Sequence, residues 1–256
     1  MKTQPIVGIS GCLAGAAVRF DGGHKRAEFV MERLAHWVTF RPICPEMAMG
    51  LPVPRPALRL VQTTTGDIRM RFSHAPHEPW LPVEEDGRLH DPVLRENFVE
   101  RVFALHELHT LCKNGLTRRG LLNFHSRYKL QLLAHHQAGY REIGPFVASL
   151  HAWDDLEAFF AVYRDKLMTI LKKPASGKNH TNVLMHIQGY FRNQLTMRQR
   201  GELREVILNY RAGILPILAP MTLLKHYLVE YPDDYLLTQN YFDPYPQDLA
   251  LRLNVN

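Results

Sequence analysis

The chain has 256 residues, of which 46% are hydrophobic, enough to bury one large core or two smaller ones. No run of about 18 apolar residues could span a bilayer, and the N-terminus lacks the apolar segment of a signal peptide, so we expect a cytoplasmic protein without a membrane partner. The three cysteines, an odd number, argue against a disulfide framework. The formal charge of +6 at pH 7 favours an anionic partner, a nucleotide or a nucleic acid included.

The N-terminal segment predicts a strand, a helix and a second strand. Residues 6–9 and 38–43 are short apolar runs, and residues 29–34 between them have helical spacing. A right-handed crossover makes two such strands parallel and leaves their carboxyl ends at one edge. Cys12 and Cys44 follow these ends, so we expect both thiols to face one crevice, where open α/β sheets bind ligands.

Polar residues surround the expected crevice. Cations and backbone N–H groups at a sheet edge suit a phosphate or a pyrimidine carbonyl. We therefore predict a substrate-binding set made of Arg19, Asp21, Gly22, His24, Lys25 and Arg55. Two simpler interpretations stay open: Gly22-Gly23 is only a turn, and Asp21 and Lys25 form a solvated ion pair worth under about 1 kcal/mol.

The rest of the N-terminal region predicts further strands. Residues 51–56 are too rich in proline for a central strand and indicate an extended loop. Leu58 to Val61 then predicts a third strand, and Asp67 to Phe72 one arm of a hairpin. We expect residues 1–90 to form an α/β domain with a small, mainly parallel sheet that is shorter than usual.

The second part of the chain predicts only helices. Asp91 is a good N-cap and Pro92 suits the first helical position, so a linker helix begins there. Asp154, with Glu157 three residues later, predicts the start of another helix, and Thr196 caps a further one. We expect residues 91–256 to form an all-α helical bundle with its leading linker helix.

Polar residues at helical spacing predict a second site in the bundle. The hypothesis is a basic, inward-facing site for an anion such as a nucleotide phosphate, and its members are His125, Lys129, Asn182, His186, Lys225 and His226. The alternative is that these residues are buried and satisfy helix ends and one another. A zinc site is disfavoured because the sequence has no His-Glu-x-x-His and no paired Cys-x-x-Cys.

Two sets of motifs resemble known families. The segments VGISGCLAGAAVRFDGGHKR, PICPEMAMGLPVPRPALRLV and LPVEEDGRLHDPVLRENFVERVF resemble the TudS family of thiouracil desulfidases. The segments FHSRYKLQLLAHH, NHTNVLMHIQGYF, YRAGILPILAPMTLLKHYL and YFDPYP resemble the YbgA family, which often follows a TudS-like domain. Together the two resemblances cover nearly the whole chain.

The resemblance to TudS implies a specific chemistry. Members of that family hold a 4Fe-4S cluster through three cysteines, and the open iron takes the sulfur of a thiolated pyrimidine or its nucleotide, which leaves by hydrolysis without a redox step. Cys12 and Cys44 match the first two ligands, and Glu46 matches a carboxylate assigned to proton transfer. An open iron site prefers soft sulfur, and a nearby carboxylate can activate water or protonate the leaving group.

The sequence departs from this family pattern at the third ligand. The cysteine motif expected between the third strand and residue 81 is missing, and residues 62–80 contain no cysteine. Two thiolates alone hold a four-iron cluster poorly. Cys112, or His74 and His77, are the candidates to replace the missing third ligand. A lone cysteine, however, is usually a small buried hydrophobe.

Two functional hypotheses follow. The first is TudS-like desulfidation of thiolated pyrimidines or thiolated nucleotides, impaired because a cluster ligand is missing. The alternative is a cluster-free module in which the helical domain binds a nucleotide or a nucleic acid. Neither the substrate nor the oligomeric state can be chosen from the sequence.

Overall fold

The computed structural model describes residues 4–19, 21–43, 58–62, 68–72, 89–249 and 251–253. The chain divides into two compact units, Met1–Arg88 and Leu89–Asn256. The α/β N-terminal part with its small parallel sheet and the helical part that follows are both confirmed.

A parallel pair of strands forms the first element of the N-terminal unit. Strands β1 (Ile6–Ser10) and β2 (Thr39–Ile43) pair in register from Ile6 opposite Thr39 to Ser10 opposite Ile43. The backbone N–H of Thr39 also donates to the carbonyl of Pro5 at 2.8 Å, which extends the ladder by one bond. The apolar runs therefore pair as the strand–helix–strand pattern predicts.

The segment between these strands is helical but not a regular α-helix. A π-helical turn, Phe29–Arg33, runs directly into a 3-10 turn, Leu34–His36. Val30 and Leu34, four residues apart, are both buried, so the apolar spacing identified the correct face. A helix this short has few i to i+4 hydrogen bonds, and packing rather than helix propensity then decides its local geometry.

Two further strands form a hairpin. Strand β3 (Leu58–Gln62) pairs antiparallel with β4 (Ile68–Phe72), with Leu58 opposite Phe72. Both segments lie where the sequence predicts a strand and a hairpin arm. Among the described residues, β3 and β4 form a sheet of their own and do not extend the β1–β2 pair.

Eight α-helices of the second unit are described: α1 (Pro92–Lys113), α2 (Arg118–His135), α3 (Gln137–Ala148), α4 (Leu156–Leu171), α5 (Gly177–Tyr190), α6 (Met197–Arg211), α7 (Leu218–Glu230) and the single turn α8 (Asp234–Leu237). Short 3-10 turns lie at Ser149–Ala152, Gln247–Leu249 and Leu251–Leu253. No helix in the described part of the chain combines the length and apolar character needed to cross a bilayer.

Side-chain caps begin most of these helices. The Asp91 carboxylate accepts hydrogen bonds from the N–H groups of Val93 and Leu94, and Thr196 forms a reciprocal capping box with Gln199, both at predicted starts. Helix α4 is capped by Asp155 rather than Asp154. The difference arises because Asp155 has the extended backbone of an N-cap and its side chain reaches the N–H of Glu157.

Helix α2 lies between two hydrophobic cores. One core is built mainly by α1 to α4, and Leu121, Phe124 and Leu132 of α2 belong to it. The other is built mainly by α5, α6, α7 and the C-terminal segment, and Leu130 of α2 belongs to that one. Helix α2 is thus buried on more than one side, whereas a surface helix buries a single apolar stripe. Each fully buried large side chain contributes about 1.5–3 kcal/mol.

Candidate functional site

Cys12 lies just beyond the carboxyl end of β1. Its side chain is partly exposed, and its Sγ is 3.2 Å from Oγ of Ser10. The backbone turns directly after the strand, because the N–H groups of Leu13 and Ala14 both donate to the carbonyl of Ser10. The Cys12 thiol therefore stands at a strand end, where the sequence predicts it.

A polar loop folds back onto Cys12. The N–H of Lys25 donates to the carbonyl of Cys12 at 3.0 Å, which brings this end of the loop beside the cysteine backbone. The loop closes through a bond of 3.0 Å from the N–H of Gly22 to the carbonyl of Arg19. Gly22 has a φ of +77°, a conformation that favours glycine.

The acidic residue of this loop has a structural role. Asp21 accepts a hydrogen bond of 2.9 Å from the N–H of Gly23 and lies 3.9 Å from Nε of Arg19. Arg19 is thus a charged neighbour of Asp21, and the ion pair of Asp21 with Lys25 stays a prediction. The side chains of His24 and Lys25 are exposed, so they are accessible to a ligand.

Five predicted residues, Cys44, Glu46, Arg55, His74 and His77, lie outside the described residues. In sequence, Cys44 directly follows Ile43, whose backbone pairs with Ser10 at the end of the sheet. The convergence of two thiols and a carboxylate therefore stays a prediction. Among the residues that are described, no three His, Cys, Asp or Glu side chains are grouped to hold a metal ion.

Cys112 behaves as a small core residue. It lies near the end of α1 and packs, partly buried, against the hydrophobic core formed by α1 to α4. This position belongs to the helical unit, and such packing is the usual role of a lone cysteine.

The predicted polar set of the bundle is distributed over different surroundings. His125 is buried and its Nδ1 lies 3.2 Å from the hydroxyl of Tyr163. Burial, with a smaller effect of Lys129, lowers the pKa of His125 to about 4. His125 is therefore neutral at pH 7 and adds no positive charge for an anion.

The other members of the set lie on separate helices. Asn182 and His186 are exposed on α5 rather than facing inward. On α7, Nζ of Lys225 is 2.6 Å from Oδ1 of Asp243, and the exposed His226 is 3.8 Å from Glu230. The two α7 residues thus have acidic neighbours, and the interactions seen among the described residues do not gather the six into one site.

A network of buried charges that the sequence interpretation missed joins α1, α2 and the C-terminus. Nε of Arg252 is 2.8 Å from Oε1 of Glu96, and its Nη2 is 3.1 Å from Oε1 of Glu100. Nε2 of His135 is 2.9 Å from Oε2 of Glu100. Both side chains of this last contact are almost fully buried, so each charge acts strongly on the other.

The protonation of His135 follows from its neighbours. Its Nδ1 is 2.6 Å from the carbonyl of Lys173, which can only accept, so Nδ1 carries a proton. The Glu100 carboxylate beside Nε2 also only accepts. Burial alone would lower the pKa of His135, but the charge of Glu100 outweighs it and raises that pKa. His135 is therefore an imidazolium ion.

The two carboxylates of the network differ. Burial would raise the pKa of Glu100, but His135 and Arg252 outweigh burial and lower that pKa to about 2. For Glu96, burial has the larger effect and raises the pKa, although Arg252 partly opposes it. Glu100 is thus firmly ionised, whereas Glu96 holds a proton more readily.

A small cavity lies beside the network. Its volume is about 40 Å³, which gives room for about three water molecules. The polar part of its lining comprises Glu96, Asn97, Glu100, His180, Tyr210 and Arg252. Nδ1 of His180 is 2.8 Å from the hydroxyl of Tyr241, and burial with the charge of Arg252 lowers the pKa of His180 to about 3.

Weak signals for this network exist in the sequence. Glu96 and Glu100 are four residues apart on α1, and Arg252 stands within the apolar segment LALRLNV. A charge inside an apolar run suggests a buried partner, because such residues are rarely buried alone. The partner lies more than 150 residues away and cannot be named from spacing.

Comparisons with known proteins match both parts of the chain. Residues 7–78 match the family model described as 2-thiouracil desulfurase, and residues 129–246 match that of a protein of unknown function, DUF1722. The uncharacterized protein YbgA of Escherichia coli (strain K12) is 49% identical over 152 residues, which cover 59% of this chain and 90% of YbgA. The chain belongs to the YbgA family. No solved structure matches it.

This YbgA-family chain has a TudS-like segment ahead of its helical region. The desulfurase match supports a TudS-like role at the level of the family. Of the buried network, His135 lies within the DUF1722 match, as does His180 of the cavity, whereas Glu96, Glu100 and Arg252 lie outside it.

Proposed function

We propose that this protein removes sulfur from thiolated pyrimidines, either free bases such as thiouracil or their nucleotides, by hydrolysis without a redox step. The observation behind the proposal is Cys12, a partly exposed thiol at the end of a parallel strand, within a segment similar to 2-thiouracil desulfurases. Such strand ends are where open α/β sheets bind ligands.

We assign Cys12 and Cys44 as ligands of a 4Fe-4S cluster, which would supply an open iron for soft sulfur. The chain does not complete the set by itself. Residues 1–88 contain two cysteines, and Cys112 packs against a core of the helical unit. Because two thiolates bind a four-iron cluster poorly, we expect the protein to bind the cluster weakly or incompletely. No catalytic step is therefore assigned to the cluster.

The remaining roles belong to side chains of the N-terminal unit. We assign proton transfer to Glu46, because a carboxylate close to the reacting atoms can activate water. We assign substrate binding to the loop at Cys12 and to Arg55. His24 and Lys25 are exposed there, and cationic or N–H donors suit a pyrimidine carbonyl or a phosphate.

Anaerobic reconstitution with iron and sulfide tests the proposal. We expect the chain to bind iron and sulfide and to release sulfide from thiouracil or thiouridine monophosphate. Cys12→Ser and Cys44→Ser should lose both properties, whereas the matched variant Cys112→Ser should keep them. A colourless, inactive protein after reconstitution would contradict the proposal, as would equal iron binding by all three variants.

A second candidate function is nucleotide or single-stranded nucleic-acid binding by the helical unit. One observation favours it: the exposed rings of His186 and Tyr190 on α5 form a row with the partly buried ring of Tyr235 on α8. The rings of His186 and Tyr190 are 5.7 Å apart and edge to face, and those of Tyr190 and Tyr235 are stacked at 5.7 Å. Stacking on such rings contributes about 1–3 kcal/mol per base.

Fluorescence anisotropy with a labelled single-stranded RNA tests this candidate. Affinity should fall between about 50 and 200 mM salt, because phosphate contacts release counterions. Tyr190→Ala should weaken binding roughly tenfold or more. The matched change Tyr231→Ala, in a partly buried tyrosine outside the row, should leave binding unchanged. Affinity that does not respond to salt or to Tyr190→Ala would eliminate this candidate.

A further inference from the structure

The cavity beside the buried network has an acidic lining. Two carboxylates, Glu96 and Glu100, contribute to its wall together with one guanidinium, that of Arg252. The guanidinium is already engaged by both carboxylates and by the carbonyl of Tyr241, to which Nη1 donates at 2.9 Å. The imidazole of His180 is neutral. The wall therefore has two carboxylates and one guanidinium, and the second cationic partner of Glu100, His135, is not among the lining residues.

One oxygen of Glu96 remains available to a ligand. Both hydrogen bonds to this carboxylate, from the Tyr245 hydroxyl and from Nε of Arg252, end on Oε1. Oε2 receives none from the described residues. The Glu96 side chain is 22% exposed to solvent, whereas the side chains of Glu100 and Arg252 are 4% and 5% exposed. Glu96 is thus the most accessible of the three charged side chains of the wall, and its Oε2 is not engaged by the described residues.

Two nearly buried side chains of the wall have unused polar atoms. Tyr210 is 5% exposed, and its hydroxyl has no hydrogen-bond partner within the described residues. His180 is 8% exposed and bonds through Nδ1 to Tyr241, which leaves Nε2 without a partner in the same part of the chain. A buried hydroxyl without a partner costs about 1–3 kcal/mol, so a ligand that engages it is favoured.

We propose that this cavity binds a small primary ammonium ion. An ammonium group has three N–H donors and no acceptor, and Oε2 of Glu96 and the oxygen of Tyr210 are acceptors on side chains that line one cavity. The tautomer in which His180 donates from Nδ1 to Tyr241 would make Nε2 a third acceptor. The carboxylate supplies the opposite charge. The cavity volume of about 40 Å³ gives room for a group of a few atoms.

Other small ligands suit the lining less well. An anion would face the free oxygen of Glu96 and the charge of Glu100. A metal ion prefers several carboxylate, imidazole or thiolate ligands, and the described residues provide no group of three. Water donates hydrogen bonds in such a cavity but carries no charge.

Thermal unfolding of the full chain in different chloride salts tests the proposal. At equal ionic strength, ethylammonium should raise the unfolding midpoint in a concentration-dependent manner, because a ligand that binds only the folded state stabilises it. Sodium, potassium and tetramethylammonium, which lack N–H donors, should have no such effect. Equal effects of all four chlorides, or a specific effect of sodium phosphate instead, would overturn the proposal.

Two variants locate the site. Tyr210→Phe removes only an unpaired hydroxyl, so the protein should fold normally, yet ethylammonium should bind roughly tenfold more weakly. The matched change Tyr231→Phe should leave binding as in the wild type. Glu96→Gln removes the charge and should abolish the ethylammonium effect. Wild-type affinity in Tyr210→Phe would overturn the proposal even if Glu96→Gln does not fold.

Discussion

At the scale of single residues, Glu100 is the centre of the buried network. Its two oxygens contact Arg252 and His135, and all three side chains are nearly inaccessible to solvent. Removing one member of a buried charge pair leaves its partner uncompensated, and this costs more than the pair contributes to stability.

We expect Glu100→Gln to lower the free energy of unfolding by about 3–5 kcal/mol, because Arg252 and His135 lose their shared counter-charge. Urea denaturation measures the loss. Glu142→Gln, at an exposed position of α3, is the matched control and should change stability by no more than about 0.5 kcal/mol. Equal effects of the two changes would argue against a structural role of the network.

The raised pKa of His135 predicts a pH dependence with a definite sign. A group whose pKa is higher in the folded state stabilises the fold fully below its unfolded pKa, near 6.5, and this contribution is lost as pH rises through the folded pKa. We expect the wild type to lose stability above about pH 6.5. His135→Gln should lack that slope in urea denaturation from neutral to alkaline pH, and an unchanged slope would refute the assignment.

The contribution of Glu100 to stability changes with pH in the opposite direction. Its pKa is lowered to about 2, so its stabilisation is complete above the unfolded pKa near 4.5 and is lost as pH falls toward 2. The network is therefore most favourable between the two unfolded values, in mildly acidic solution.

At the scale of elements, the distance between packed helices decides which glycines can be replaced by alanine without a steric clash. A Cβ at Gly139 on α3 would lie 2.7 Å from Cγ1 of Ile170 and 2.8 Å from Nδ1 of His136. A Cβ at Gly201 on α6 would meet no atom within 4 Å. Both positions are helical, so the two sites differ in packing rather than in helix propensity.

We expect Gly139→Ala to destabilise the protein by about 1–3 kcal/mol through overpacking against α4. Gly201→Ala should instead stabilise it by about 0.5–1 kcal/mol, because alanine is the better helix former. Chemical denaturation of the two variants measures both signs. Stabilisation by Gly139→Ala would show that α3 and α4 leave room for a methyl group at this position.

At the scale of the whole molecule, the helical unit has its own hydrophobic cores and a C-terminal segment that binds to α1. The C-terminal segment is held to α1 through Arg252, and Tyr245 bonds to Glu96 from the same segment. Residues Leu89–Asn256 form a compact unit by themselves. We therefore expect the unit to fold without the N-terminal region.

A fragment of residues 89–256 should unfold in one cooperative transition. A fragment of residues 89–245, which lacks Arg252, should be far less stable, because Glu96 and Glu100 lose their cation. Circular dichroism during heating compares the two. Similar transitions in both fragments would exclude the proposed role of the C-terminal segment.

Local sequence patterns sufficed for several of the elements. Apolar spacing predicted β1 and β2, and Asp91 and Thr196 marked two helix starts, because capping and periodicity involve residues within a few positions of one another. The helices at Gln137–Ala148 and Asp234–Leu237 were not predicted. Short elements were less predictable. The π-helical and 3-10 turns at residues 29–36 depend on packing, since so short a helix has little stability of its own.

The sequence by itself therefore determined the order of the two units, the starts of several helices and the placement of Cys12 at a strand end. Only the tertiary structure decided which polar residues meet. His125 is buried against Tyr163, Asn182 and His186 face solvent, and Arg252 contacts a glutamate 152 residues away. The physical reason is that helical periodicity defines a face but not its neighbour, which depends on how distant helices pack together.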